Sequence, residues 1–459
     1  MSRPHLSRRT LVPLALTCAV LVAAGCSTPG SDNSSSNNTP KPSSAVSTNP
    51  DVAGDVTLRV WDQEVRGGQN KQMTQLNKEF EAKYPNVTIE RTSKSFKDLK
   101  TTLKLALTGD DPPDVVEVNQ GYPDMVAFVN AGMLVPLDGY AKVYGWDKRY
   151  PSSLLDLNRV SKDGKHFGTG TLYGVSQMGE YVGIYYNKAK LKSLGLDPPK
   201  TWSEFTAELA KIKAAGDIPI QFGNLDKWPA IHTFGVIQGQ IAGKGTVRDL
   251  VFGTGNAAWT DDATVQAATT LQDWAKKGYF PKGVNGIGYD DSNKNFAAGQ
   301  GVFNITGTWE AAVLEPSMGS KLGLMLPPPA AAGGKPVTTG GESLSLAITS
   351  KSDHPDVAAS YIDFLTNAHA DDVMTKTGNL AAIPSGASKK LEPSSVDGQM
   401  VAGWKQVSNA DGLVPYLDYS TPTFYDTLTA ELQKLIGGQE TPEEFTQALQ
   451  DDYTSFHQK

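Results

Sequence analysis

The sequence contains only two cysteines, Cys18 and Cys26, and both lie within its first 26 residues. A disulfide between distant parts of the chain is therefore excluded, and the main body must be stabilised by its hydrophobic core. The six histidines are scattered, and no His/Cys group has the spacing of a metal site. We therefore expect neither a metal nor a cofactor.

Motifs of the common catalytic classes are also lacking. The sequence has no G-x-S-x-G, no H-E-x-x-H, no P-loop and no G-x-G-x-x-G, which favours a binding protein over an enzyme. A glycoside hydrolase stays open as an alternative, because its two carboxylates could be any of the 49 acidic residues. A formal net charge of −7 without a basic cluster argues against nucleic-acid binding.

Long hydrophobic runs are absent after the first 30 residues, and the one early run, residues 11–24, is shorter than the roughly 20 residues that span a bilayer. Three arginines precede the run, and three small residues (23–25) separate it from Cys26. This arrangement resembles a bacterial lipoprotein signal, so we predict removal of residues 1–25 and lipidation of Cys26. An ordinary secretory signal cleaved near Ala24 is the alternative. The export route, general secretory or twin-arginine, stays open.

Low complexity marks residues 27–50. Ser, Thr, Asn or Pro occupy 19 of these 24 positions, and none is aromatic. Such a composition cannot bury enough apolar surface to fold. We therefore predict that residues 26–53 form a disordered tether, in which residues 27–50 have a mean reach of about 27 Å. A lipid anchor with such a tether suits a protein that delivers cargo to a partner in the membrane.

Beyond the tether, short β-rich runs alternate with helical patterns. The runs at 56–61, 87–89 and 115–116 have strand character, and the segments between them carry apolar residues at helical spacing. This alternation indicates βαβ units and an α/β fold. Thr201 and Thr441 are each followed three residues later by Glu, which predicts a capping box at a helix start.

Four groups of short motifs resemble the carbohydrate branch of the ABC extracellular solute-binding proteins, in their order and in their spacing over about 300 residues. They are residues 107–116 (LTGDDPPDVV) with 131–138 (AGMLVPLD); 173–175 (YGV) with 185–188 (YYNK) and 198–205 (PPKTWSEF); 296–299 (FAAG) with 307–309 (GTW); and 340–341 (GG) with 355–359 (PDVAA) and 364–365 (FL).

The resemblance implies a two-lobe periplasmic-binding-protein-like (type II) α/β fold, with the ligand in the cleft between lobes joined by crossing segments. Lobe one would comprise residues 54–178 and 338–382, and lobe two residues 183–336 and 384–459. It also implies a monomeric receptor that delivers a carbohydrate, most simply a di- or oligosaccharide, to an ABC transporter permease. A receptor of the same fold for another solute, such as a polyamine, is the alternative binding class.

A sugar needs aromatic plates for its C–H faces, because an aromatic side chain brings a large apolar area to a flat contact. Trp309 follows a glycine at the end of a strand, where open α/β sheets place ligand contacts and where the family commonly has a stacking Trp. Trp228 lies in a loop next to Asp226. Tyr425 or its neighbour Phe424 would supply a third plate. Trp202 and Trp274 fall within helical patterns and are interpreted as packing residues.

Carboxylates and amides would hold the hydroxyl rim of the sugar. We expect them at the carboxyl ends of strands, where open α/β sheets bind their ligands. At Glu180 the family often places a ligand-binding acid, and Gly341 permits close backbone approach. The lone His232 is interpreted as structural. The predicted polar contacts are Asp62, Glu64, Asn119, Gln120, Glu180, Asp226, Gly341 and Glu342.

Overall fold

The computed structural model describes residues 41–384 and 386–457. The predicted signal and Cys26 lie outside this range. The strands are β1 (Val56–Asp62), β2 (Val87–Ser93), β3 (Val115–Val118), β4 (Arg159–Val160), β5 (Thr171–Leu172), β6 (Gly179–Asn187), β7 (Phe303–Gly307), β8 (Leu322–Met325), β9 (Thr338–Glu342), β10 (Ser345–Ile348) and β11 (Leu413–Val414). The α-helices are α1 (Gly67–Lys83), α2 (Phe96–Thr108), α3 (Ala127–Asn130), α4 (Asp138–Tyr144), α5 (Trp146–Arg149), α6 (Ser152–Leu155), α7 (Lys188–Ser193), α8 (Trp202–Ala214), α9 (Pro229–Ile241), α10 (Gly243–Phe252), α11 (Asp262–Lys276), α12 (Tyr289–Ala297), α13 (Ala311–Met318), α14 (Pro355–Leu365), α15 (Ala368–Lys376), α16 (Val396–Asn409), α17 (Phe424–Ile436) and α18 (Pro442–His457).

The first sheet has the strand order β10-β3-β1-β2. The strands β3, β1 and β2 are parallel, and β10 is antiparallel to β3. The helices α1 and α2 connect the parallel strands, as the alternating pattern predicted. Because the carboxyl ends of β1 and β3 meet at one edge of the sheet, the residues that follow them come close together.

The second sheet is built around the long strand β6. This strand is antiparallel to β7, β8 and β9, and β9 in turn is parallel to the short β11. Val182 pairs with Gly307, so the end of β7 lies beside the start of β6. This register brings Trp309 and Glu180 to the same edge of the sheet.

These two sheets belong to the two lobes, and the α/β two-lobe fold is the one that the sequence predicted. The sequence assigned residues 338–342, which form β9, to lobe one. In the structure β9 pairs with Gly179, Glu180 and Tyr181 at the start of β6, so it belongs to the second sheet.

Both predicted capping boxes cap helices. Thr201 Oγ1 accepts from the Glu204 N–H at 3.1 Å, and Thr441 Oγ1 accepts from the Glu444 N–H at 3.2 Å. The Glu444 carboxylate also accepts from the Thr441 N–H at 2.8 Å, which completes the reciprocal pair. The Glu204 carboxylate reaches one residue further back, to the N–H of Lys200 at 2.7 Å.

Residues 41–53, predicted to be the end of a disordered tether, instead pack on the first lobe. The Lys41 ammonium donates to both carboxylate oxygens of Asp356, at 2.7 and 2.8 Å, and the Ser47 N–H donates to the same carboxylate at 2.9 Å. Val46 packs against the first-lobe core. The composition could not reveal this order, because the partners that provide it lie about 310 residues away in α14.

Candidate ligand-binding cleft

An aromatic cavity lies between the two lobes. It encloses about 630 Å³ of empty space, counting the part open to solvent. We call it the aromatic cavity; its lining residues are Gln63, Arg66, Gln69, Phe96, Asn119, Glu180, Trp228, Ile231, His232, Trp309, Leu344, Tyr416, Asp418, Tyr419 and Tyr425.

Trp309 enters the cavity directly after β7, as the sequence predicted. Its indole N–H donates to the Tyr289 hydroxyl at 2.7 Å, and that hydroxyl is also hydrogen bonded to Thr306 Oγ1 at 2.7 Å. The ring is partly exposed, and it lies against the backbone of Gly307 and near the ring of His232. A partly exposed indole whose position is fixed by a hydrogen bond is suited to serve as a stacking plate.

Trp228 lies at the start of α9, where Pro229 occupies the first helical position. Its ring centroid is 4.3 Å from that of Tyr289, and 6.1 Å from that of Phe96 in the first lobe. Trp228 therefore lies where the two lobes meet and contacts residues of both. The side chain is 9% exposed, which leaves only part of the ring accessible from the cavity.

His232 lines the cavity, although the sequence favoured a structural role for it. Its ring lies 5.2 Å from those of Trp228 and Trp309 and 5.5 Å from that of Tyr416. Burial lowers the pKa of His232 to about 3, so the imidazole is neutral at physiological pH. A neutral ring offers one donor and one acceptor among the aromatic side chains.

Tyr416 and Tyr419 line the cavity and were missed. They follow β11, whose two residues pair with β9, and the aromatic-rich run 416–419 (YLDY) was the available indication. The Tyr416 hydroxyl donates to Glu180 Oε1 at 2.8 Å, and the Tyr419 hydroxyl donates to Gln120 Oε1 at 3.0 Å. The first bond joins the second lobe to the start of β6, and the second bond joins it to the first lobe.

Two carboxyl groups line the cavity, those of Glu180 and Asp418. Burial raises the pKa of Glu180 to about 8, so its carboxyl is mostly protonated at neutral pH and can donate as well as accept. Burial also raises the pKa of Asp418, to about 6, against the opposing charge of Lys100. Asp418 is missing from the sequence-based prediction because the short β11 that positions it was not recognised.

Asn119 and Tyr425 also lie where the sequence predicted. Asn119 follows β3 and donates through Nδ2 to Asp124 Oδ2 at 3.3 Å. Tyr425 opens α17, and the Lys100 ammonium of the first lobe lies 4.4 Å from its ring centroid. The alternative Phe424 is fully buried and packs on Trp259.

Four predicted polar contacts do not line the aromatic cavity, because internal partners or burial hold them within the fold. Asp62 is fully buried and receives two bonds from the Arg91 guanidinium, at 2.5 and 2.8 Å. Glu64 is also fully buried, and burial together with the charge of Asp62 raises its pKa. The amide of Gln120 donates to Ser343 O and Ser345 Oγ, and Asn158 donates to the buried Glu342.

Asp226 and Gly341 lie outside the aromatic cavity. Asp226 accepts the Tyr289 N–H at 2.9 Å and its backbone carbonyl accepts the Trp228 N–H at 2.8 Å. It therefore helps to position Trp228, which lines the cavity, and Tyr289, which is hydrogen bonded to Trp309. Gly341 is in β9 and lines a different groove, which Trp404 also lines. A Cβ at Gly341 would lie 2.6 Å from the Leu157 side chain, so close packing explains this glycine.

Arg66 of the first lobe bridges the cleft. Its Nη2 lies 3.2 Å from Asp290 Oδ1 and its Nε lies 3.6 Å from Glu310 Oε1, both in the second lobe. The guanidinium carbon lies 5.4 Å from the centroid of Tyr289, the residue that holds Trp309. Burial raises the pKa of Glu310, and Arg66 opposes this shift. The conformation described here is therefore closed and joined by charge across the cleft.

Two features are absent from the part of the chain that the structure describes. Within residues 41–384 and 386–457, no group of three or more His, Cys, Asp or Glu side chains could hold a metal ion. Among the helices of this same part of the chain, none combines the length and apolar character needed to cross a membrane.

The chain belongs to the bacterial extracellular solute-binding protein family, whose model matches residues 67–372. The multiple sugar-binding protein of Streptococcus mutans is 25% identical over 319 residues, which cover 69% of this chain and 72% of that protein. A chitin oligosaccharide binding protein shares the fold, with a TM-score of 0.75 at 23% identity over 88% of this chain and 100% of that one. An ABC transporter solute-binding protein from Thermotoga lettingae bound to α-D-tagatose does so too, with a TM-score of 0.72 at 20% identity over 87% and 99%.

Proposed function

We propose that this protein binds a carbohydrate in the aromatic cavity and delivers it to the permease of an ABC importer. The observation that carries the proposal is the lining of the cavity. Aromatic rings, amides and carboxyls from both lobes converge on one enclosed space between them. A ligand that contacts both walls stabilises the closed arrangement, which is the differential contact that lobe closure requires.

The chemistry of the lining fits a neutral sugar. Trp309 and Trp228 offer faces to its C–H surfaces, while Asn119 and the protonated Glu180 offer donors and acceptors to its hydroxyls. A polyamine needs several ionised acids around its ammonium groups. The lining has only two carboxyls, together with amides such as that of Gln63 and the cationic Arg66, so it does not suit a polyamine. Several relatives and structural neighbours are sugar-binding proteins, which supports the same class of ligand.

The proposed contacts are the predicted residues that line the cavity together with those the sequence missed. Trp309, Trp228 and Tyr425 are the proposed plates, and Asn119 and Glu180 are proposed polar contacts. Arg66, His232, Tyr416, Asp418 and Tyr419 join them. Asp226 is proposed to act through Trp228 and Tyr289 rather than through the sugar.

We also propose that a lipid on Cys26 anchors the protein at the outer face of the cell membrane. The receptor is proposed to be a monomer. The support for the anchor is the arrangement of basic, apolar and small residues before Cys26. A receptor that closes as one chain around its ligand needs no partner subunit to complete the site, since both walls come from the same chain.

A thermal-shift screen with mono- and oligosaccharides of several linkages tests the proposal. A sugar at 100 times its Kd should raise the unfolding free energy by about 2.7 kcal/mol. Spermidine and putrescine form the comparison set. Stabilisation by polyamines and by no sugar would contradict the proposal.

The same incubation separates binding from hydrolysis. Glu180 and Asp418 are two carboxyls in one cavity, which is the minimum that a glycoside hydrolase needs. We expect the bound sugar to be recovered unchanged after prolonged incubation. Hydrolysed product that disappears in Glu180→Gln or Asp418→Asn would show an enzyme instead.

A further inference from the structure

Tyr289, the first residue of α12, does not line the aromatic cavity but contacts both proposed tryptophan plates. Its ring centroid lies 4.3 Å from that of Trp228, and its hydroxyl accepts the indole N–H of Trp309 at 2.7 Å. Trp228 precedes α9 and Trp309 follows β7, so the two plates belong to different elements of the second lobe. Tyr289 therefore joins these elements from outside the cavity.

Tyr289 is itself fixed at both ends. Its backbone N–H donates to the carboxylate of Asp226, two residues before Trp228, at 2.9 Å. Its hydroxyl is also hydrogen bonded to Thr306 Oγ1 of β7 at 2.7 Å, three residues before Trp309. Burial raises the pKa of Tyr289 well above its ordinary value, so the hydroxyl stays uncharged and keeps both of its bonds. One end of Tyr289 is thus held by the loop of Trp228 and the other by the strand of Trp309.

A side chain of the first lobe contacts Tyr289 across the cleft. The guanidinium carbon of Arg66 lies 5.4 Å from the centroid of the Tyr289 ring, within the range of a cation–π contact. Arg66 also pairs with Asp290 and Glu310, the residues directly after Tyr289 and Trp309, at 3.2 and 3.6 Å. Since Arg66 belongs to the other lobe, these contacts are made only when the lobes are closed. Closure therefore completes the packing around the ring that holds the plates.

We infer that Tyr289 is a positioning residue that links closure of the lobes to the placement of Trp228 and Trp309, without touching the sugar. The inference rests on the proposed function and adds to it a residue outside the binding cavity. A sugar held by the plates would stabilise the ring on which Arg66 packs, and Arg66 would in turn fix the plates around the sugar, because such coupling is reciprocal. The coupling acts in the closed state, so its loss should speed sugar release and leave the association rate unchanged.

Tyr289→Phe tests the inference, because it removes the hydroxyl and keeps the ring, the backbone bond to Asp226 and the contact with Arg66. Calorimetric titration with maltotriose, xylotriose, chitotriose and raffinose identifies a sugar that binds the parent. For that sugar we expect Tyr289→Phe to bind about tenfold more weakly, or about 1.4 kcal/mol, with the loss confined to the release rate measured by stopped flow. In the Trp309→Phe background, which has no indole N–H to leave unpaired, Tyr289→Phe should cost less than about twofold.

The indole N–H signals in ¹⁵N-edited NMR spectra report the placement of the plate directly. The chain has eight tryptophans, and the signal lost in Trp309→Phe identifies that of Trp309. In Tyr289→Phe this signal should shift, and its N–H should exchange faster with solvent, with or without sugar. With sugar bound, Arg66→Met should also shift the signal in the parent but not in Tyr289→Phe, because Arg66 reaches the indole through Tyr289.

Tyr361→Phe is the matched control, because this tyrosine is also buried and its hydroxyl donates to Asn77 at 2.6 Å within the first lobe. It should lower the melting temperature and leave both the sugar affinity and the Trp309 signal unchanged. Binding by Tyr289→Phe within twofold of the parent, additive losses in the double variant, or a Trp309 signal that Tyr289→Phe does not move overturns the inference while the proposed function stands. So does a signal that still responds to Arg66→Met in Tyr289→Phe. Failure of the parent to bind any of the four sugars contradicts the proposed function, and the Trp309 signal then still tests the positioning role.

Discussion

Replacement of Trp309 by alanine removes one proposed plate and should weaken sugar binding strongly. An aromatic side chain can bury about 150–250 Å². If a sugar covers about half of the lower figure, the lost ring area alone corresponds to about 2 kcal/mol at 25 cal/mol/Å². The uncovered face of the sugar adds a similar amount, so we expect a loss of about 2–4 kcal/mol. That loss is a reduction in affinity of about 30-fold to 1,000-fold.

The assay is calorimetric titration of each folded variant with the best sugar of the screen. Trp202→Ala is the matched control, since Trp202 is also partly exposed but packs on Phe205 and Trp274 at 5.3 and 5.9 Å, away from the cavity. It should lower the melting temperature and leave affinity nearly unchanged. Trp309→Phe keeps a ring but loses the bond to Tyr289, so it separates stacking from positioning. An affinity within threefold of the parent in Trp309→Ala would refute the stacking argument.

Three further predictions concern charge and anchoring. Arg66→Met removes the ion pairs with Asp290 and Glu310 and leaves the buried Glu310 carboxyl unpaired. Stopped-flow measurements should therefore show about tenfold faster sugar release. An unchanged release rate would mean that these ion pairs do not hold the closed state. Burial raises the pKa of Glu180 in the folded state from 4.5 to about 8, so the contribution of this carboxyl to stability is complete below about pH 4.5 and is lost as the pH rises to about 8. The melting temperature should therefore fall less steeply over this pH range in Glu180→Gln than in the parent. Equal slopes of melting temperature against pH would contradict the raised pKa. In a bacterial host, Cys26→Ala should abolish membrane association, and equal membrane retention would rule out lipidation at this residue.

The first lobe was the more predictable half of the fold, because its structure follows from local patterns. The apolar spacing along α1 and α2 and the β-rich runs between them indicate βαβ units without any long-range information. The second sheet could not be predicted in the same way. Its strands β8 and β11 are short, and β6 finds antiparallel partners more than 100 residues away, at Gly307, Leu324 and Gly341.

The candidate site was predictable where a strand end alone decides its position. Trp309 and Asn119 follow strands and reach the aromatic cavity. Asp62 is the last residue of a strand, but Arg91 binds it inside the lobe, and Gln120 is bound by Ser343. Whether a polar side chain at a strand end faces the cleft or an internal partner depends on residues distant in sequence, so local patterns do not distinguish the two outcomes.

A crystal structure of the protein with the best-binding sugar is the most direct test of the proposed site. We expect a sugar ring stacked on Trp309, within hydrogen-bonding distance of Asn119 or Glu180, and enclosed by both lobes. A sugar bound instead in the groove beside Trp404 and Gly341, with the aromatic cavity filled only by water, would contradict it.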